Sequence, residues 1–370
     1  MKYLVVFLCL LAALPSMAQE SEVYQELKET VRAEVISIER EETRDIVGTD
    51  TDALVQTVRI LVLEGLRKGE EAVFENDLMR LEPGDSIYVN RIETIEGTEY
   101  FFLKDADRRM PLIALAALFV AALLFFSGMQ GFRALMSLAL TITLIFAVLV
   151  PLLLSGASPV LVSILIAGPI LASALFLTHG INARSLIAFF GTFAAVIVTG
   201  LLAFVWVDIS RLTGLSDDAA IYLNFSTKGS LDFGGLLLGS IIIGILGVLD
   251  DVAITQASVV RELKRANPNL PMIELYRRGI RVGRDHVGSL VNTLALAYIG
   301  VALPLVLLLT SAGSDLTLSL NQEVVAAELI RIFLGSIGLI LAVPFTTLTA
   351  AWWYEWHTDS ADAAVHPHSH

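Results

Sequence analysis

Two aspartates, Asp250 and Asp251, stand side by side in a run from Gly234 to Ser258 that carries no other charge. Each charge placed at mid-bilayer costs roughly 2.5–3.5 kcal/mol on insertion scales, so an adjacent pair within an apolar helix demands compensation. Binding a proton or a small cation supplies it. Thr255 and Gln256 follow within two helical turns. Further along, Arg284-Asp285-His286 leads into Ser289, Asn292 and Thr293. Hydroxyl and amide oxygens beside a carboxylate suit a hard cation or a hydrogen-bonded polar substrate. His286 is the residue type that titrates near neutral pH. The chain has no HExxH, CxxC, Walker or GxSxG pattern, which argues against the common hydrolase and nucleotide-driven classes. The expectation is a protein that is not an enzyme and has no cofactor and no metal site.

Helical geometry refines this constellation. Ser240, Gly244, Gly247, Asp251, Thr255 and Ser258 recur at steps of three and four, so they share one face. Small residues at that spacing let another helix approach closely, which predicts that Asp251 points into a packed interior. Asp250 lies about 100° around the helix, toward Ile243 and Ala257. Ser289, Asn292 and Thr293 cluster on one face of the next apolar segment. Two structural alternatives stay open: an ion pair from the acids to Arg281 or Arg284, and a purely packing role for the polar residues of the second segment.

The elements that must hold these residues are membrane spans. The chain has 370 residues, 55% of them hydrophobic, with a mean hydropathy of +0.71, which fits a multi-span membrane protein. Seven spans are read at roughly 110–126, 134–154, 159–178, 185–206, 233–257, 287–310 and 333–354. Pro151, Pro169, Pro304 and Pro344 interrupt four of them, as in the broken helices of transporters. Residues 1–18 read as a signal peptide ending in Ser16-Met17-Ala18, and the only cysteine, Cys9, falls within it. The net charge of −13 is concentrated: residues 20–107 alone hold 23 acidic and 10 basic side chains. That segment alternates short β-type runs with turns, as at Pro83-Gly84-Asp85, and predicts a β-rich domain over 19–107, OB-like or a small barrel. Nothing is basic enough for nucleic acid.

Charge also orients the spans. Nine Lys/Arg fall in the segments 127–133, 179–184 and 258–286, against three (Arg211, Lys228 and Arg331) in the alternate loops. This bias predicts residues 19–107 outside the cytoplasm and a C-terminus inside it. It places the basic stretch Met272–Arg284 along the anionic inner leaflet and residues 357–370 in a disordered cytoplasmic tail.

At GVLDDVAITQASVVREL and GRDHVGSLVNTLALAYIG the chain resembles the YibE/F-like family of bacterial multi-span membrane proteins, over essentially all of residues 30–355. The resemblance implies a polytopic protein of the bacterial plasma (inner) membrane with a β-type outer module and a permease role. It names no substrate. The function expected is a cation-coupled secondary transporter or channel using H+ or Na+, with the lipid bilayer as its surroundings, an unknown substrate and compatibility with a homo-oligomer. The alternative is a non-transporting envelope sensor or scaffold acting through residues 19–107 and the basic loop.

Overall fold

The computed structural model describes residues 27–46, 51–94, 98–311 and 315–357. The expected signal peptide and most of the expected tail lie outside the described residues. The chain forms two compact units that divide between Ala122 and Leu123.

In the first unit five antiparallel strands, β1 (Leu27–Ile46), β2 (Thr51–Val62), β3 (Glu71–Asn76), β4 (Ser86–Glu93) and β5 (Glu99–Ala106), pair in the order β3-β2-β1-β4-β5. β1 serves two neighbours. Residues 27–34 pair with β4 and residues 33–46 with β2, and irregularities between Val35 and Ser37 and between Ile38 and Arg40 bend the strand. Bulges of this kind sharpen twist and curl a sheet. The edge strands β3 and β5 come into contact, giving a partly closed barrel. Alternating residues fill it: Val31, Ala33 and Val35 from β1, Val58, Ile60 and Val62 from β2, and Ile87 and Val89 from β4. Four strands coincide with the β-type runs of the sequence at 31–38, 56–63, 85–92 and 100–103, and β3 has no counterpart among those runs.

Arg91 is the buried charge of this barrel, with its side chain 5% exposed. Its guanidinium pairs with Glu99 at 2.6 Å, Glu93 at 2.7 Å and Glu29 at 3.5 Å. Hydrogen bonds from Arg91 and Arg67 hold the Glu99 carboxyl down at about 2. The stability this carboxylate contributes is therefore present above its ordinary range, near pH 4.5, and is lost as the pH falls toward 2. Arg91→Leu should leave three glutamates without their common partner and lower barrel stability by about 2–4 kcal/mol at neutral pH. It should also flatten the acid limb of stability, which circular dichroism across pH would show.

From Arg109 onward the chain is helical, and the second unit takes up this helical part at Leu123. An apolar helical run starts with α1 (Arg109–Leu144) and continues through a π-helical turn, Ile145–Leu149, into α2 (Val150–Leu154). It is 46 residues long and contains an 18-residue window with a mean hydropathy of 2.6. At 1.5 Å per residue, a run of that length is about twice what a bilayer core of ~30 Å requires. The backbone leaves helical geometry at Gly128 (φ 53°, ψ −127°), which divides the run into two spans at the expected place. There follow α3 (Pro159–Ala172) with a π-helical turn at Ser173–Leu177, α4 (Ala183–Ile209), α5 (Asp218–Ser226), α6 (Phe233–Ala266), α7 (Met272–Val301), α8 (Leu303–Ser311), α9 (Leu316–Leu320) and α10 (Glu323–Trp356).

Two boundaries differ from the sequence reading. The basic stretch after Pro271 is continuous with the span that follows it, because α7 runs unbroken from Met272 to Val301. The expected span 287–310 is the second half of α7 plus α8, bent by 66°. Pro304 accounts for the bend: it has no N–H for the helix ladder, and its ring collides with the carbonyl four residues back.

α6 is the centre of this unit and packs against α3, α4, α7 and α10. Asp232 caps it, accepting a hydrogen bond from the Gly235 N–H at 2.9 Å. With five membrane-length apolar helices, or six when the bent pair α7–α8 counts as one, before the division at Gly128, the protein is membrane-embedded.

Candidate functional site

Burial on α6 follows one stripe of the helix rather than the small-residue face. Ile241, Ile242, Ile245, Leu249, Val252 and Gln256 form the buried side, while Ser240, Gly244, Gly247, Asp251 and Thr255 face outward and Ser258 is half-buried. The small-residue face is thus the open one, and Asp251 does not point into the packed interior. The aliphatic side chains of that stripe gain from contact and set the packed side, with Gly235, Gly239, Ala253 and Ala257 buried among them. The closest glycine approach of this helix to α3 is at Gly239, where a Cβ would run into Ser163, while at Gly235 it would meet the capping Asp232 and at Gly244 it would lie 3.1 Å from Tyr298 Oη of α7.

Asp250 is half-buried, and its Oδ1 accepts the Asp251 N–H at 2.9 Å. Neither acid has an ion-pair partner among the described residues, so the alternative bridge to Arg281 or Arg284 is not formed there. Both carboxylates line a cavity of about 410 Å³. Across it stand Ser137 and Thr141 of α1 and, beyond α3, Thr178 and His179. Thr141 Oγ1 and Ser173 Oγ lie 3.4 Å apart, which ties two walls together. The π-helical turn Ser173–Leu177 inserts an extra residue per turn and so re-aims the side chains that follow it.

His179 is the residue that the sequence reading passed over. Burial, and then Arg184, push its imidazole below its usual range, while Asp251 opposes them. It is therefore a neutral ring at neutral pH, able to donate or accept in the cavity. The signal was available: charge bias puts the segment 179–184 on the same side as 258–286.

The other candidates separate. Thr255, Gln256 and His286 line a second, smaller cavity of about 130 Å³ with Gly283. Gln256 is 4% exposed and joins three helices, donating to the Gly279 carbonyl at 2.9 Å and Thr347 Oγ1 at 2.7 Å. Ser289, Asn292 and Thr293 face outward and line neither cavity, and Thr293 Oγ1 donates to the Ser289 carbonyl at 3.1 Å. The constellation read from α6 and α7 is thus two cavities on opposite sides of α6.

No curated protein and no solved structure matches the chain. The model of the family described as YibE/F-like protein matches residues 115–356, which include every residue lining both cavities, and the chain belongs to that family.

Proposed function

We propose that the protein is a cation-coupled secondary transporter or channel in which Asp250 and Asp251 hold the coupling H+ or Na+. One observation carries this reading: two carboxylates without an ion-pair partner among the described residues open onto a cavity within membrane-length helices, opposite hydroxyls and a neutral imidazole. A hard cation takes oxygen ligands from such a set, and a proton would be shared between the carboxylates and His179. Occupancy would favour one of two helix arrangements, since a ligand shifts an equilibrium by its differential affinity for the two states. In this reading the barrel is extracytoplasmic, the C-terminus is cytoplasmic, and the membrane is the bacterial inner membrane.

The test is ligand-linked stability of the purified protein. Na+ or acidification should raise the Tm of wild type and leave Asp251→Asn unmoved. A ligand at one hundred times its Kd adds about 2.7 kcal/mol. Equal responses of the two proteins would remove the acid pair from any coupling role.

One feature favours the sensor or scaffold reading. β4 covers β1 only as far as Glu34, and β3 covers β2 only from Gln56. The rest of the β1–β2 hairpin is an acidic two-stranded arm suited to engaging a partner. Removal of residues 19–107 would abolish function on that reading even if cation-linked stability persists.

A further inference from the structure

Among the described residues, seven buried side-chain polar atoms have no hydrogen-bond partner, and five of them are in the helical unit. Three of those five, Arg184 Nε, Ser185 Oγ and Trp353 Nε1, come from the start of α4 and the end of α10. The packing brings these ends together. At Gly191 of α4 an added Cβ would lie 2.6 Å from Thr346 Cα, and at Gly338 of α10 one would lie 3.0 Å from Thr199 Oγ1. The two helices therefore run antiparallel. Two turns back along α4 and two turns forward along α10 set Arg184 level with Trp353 on the facing stripes.

α6 arrives at the same level from a third side. It runs parallel to α10, fixed by the Gln256–Thr347 hydrogen bond at 2.7 Å and by Lys264 and Glu355 at 3.9 Å. This register brings Arg261 level with Trp352, one residue before Trp353, and the Tyr354 hydroxyl lies in electrostatic range of Arg261, Arg184 and the Glu262 carboxylate. The neighbouring cations are engaged: Lys264 donates to the Leu270 carbonyl at 2.9 Å, and Arg265 pairs with Glu262 at 3.4 Å. Arg184 and Arg261 have no ion-pair partner among the described residues.

The carboxylates at this end, Glu262 and Glu355, pair with Arg265 and Lys264 rather than with Arg184 or Arg261. Arg184 sits in the first turn of a 27-residue helix whose first turn holds no acidic residue. A cation there opposes the helix dipole, whose N-terminus favours negative charge. A guanidinium N–H and an indole N–H are donors only, and a serine hydroxyl can donate. What this set lacks is an acceptor with several oxygens.

We infer that Arg184, Arg261, Ser185 and Trp353 form a binding site for a phosphate group, carried by an anionic phospholipid headgroup or by a soluble phosphate. The tryptophans around it, Trp352, Trp353 and Trp356, are of the type that marks a membrane–water interface. Basic recesses between helices at such a level take lipid phosphates.

The test uses the full-length protein in neutral detergent, with short-chain phosphatidylglycerol, short-chain phosphatidylcholine and inorganic phosphate as separate additives. Phosphatidylglycerol should raise the Tm of wild type more than phosphatidylcholine does. Trp353→Phe, which keeps the ring and removes one donor, should bind phosphatidylglycerol several-fold more weakly, and Arg184→Gln should abolish the preference. If inorganic phosphate alone reproduces the rise, and both variants lose it, the site stands with a soluble anion as its ligand. Equal shifts with both lipids and none with phosphate would overturn the proposal. So would a preference that Trp353→Phe, folded as judged by its basal Tm, leaves unchanged.

Discussion

Asp250→Asn should make the purified protein more stable and, at the same time, inactive in cation-coupled flux. Asp250 is half-buried in a membrane helix, and its charge has no partner among the described residues. Asparagine keeps the shape and the carbonyl oxygen that accepts the Asp251 N–H, and it removes the cost of a desolvated charge. A full charge at mid-helix costs roughly 2.5–3.5 kcal/mol on insertion scales; the open side of the cavity reduces this, so the expected gain is about 1–2 kcal/mol. A rise in Tm at neutral pH would show it. Such opposition between stability and activity marks sites that are strained for function. A fall in Tm would mean that the carboxylate is compensated and has a structural role.

Within the helical unit, the largest loss of stability is expected on α7. Its Gly279 and Gly283 allow α6 and α10 to close around Gln256. A Cβ at Gly279 would stand 2.7 Å from Thr347 Cγ2, and one at Gly283 would stand 2.5 Å from Val343 Cγ1 and 2.9 Å from Gln256 Oε1. Either alanine overpacks the seam, at about 1–3 kcal/mol each. Because one presses on Thr347 and the other on Gln256, which hydrogen-bond to each other, the double variant should deviate from additivity. Gln256→Leu should cost less, about 1–2 kcal/mol, the scale of interhelical hydrogen bonds in membranes. Thermal unfolding in detergent ranks the three. A Gly283→Ala protein as stable as wild type would show that α7 is free to move away.

The sequence made the membrane unit legible because hydropathy needs no tertiary information: the apolar runs and the break between the first two spans follow from composition and spacing. The barrel strands that alternate apolar and polar side chains were equally plain. β3 was not, because Glu71–Asn76 is short and half of it is charged or amide. The acid pair was legible as a chemical anomaly, but its surroundings were not. Helical periodicity says which residues share a face; it does not say which face another helix covers. On α6 the aliphatic stripe took the interior, so Asp251 and Thr255 were left outward, and Gln256 became a structural tie. His179 entered the cavity through a π-helical turn that no periodicity announces. The unsatisfied donors of Arg184 and Trp353 are farther still from sequence, since they meet only through the antiparallel register of α4 and α10.

The most direct measurement of the central claim is ion flux through protein reconstituted in sealed vesicles, with pH and Na+ gradients imposed in turn and read by dyes trapped inside. Wild type should dissipate one of the two gradients faster than protein-free vesicles, and Asp250→Asn and Asp251→Asn should not. Dissipation of neither gradient by correctly folded wild type, or equal dissipation by wild type and both variants, would contradict the account.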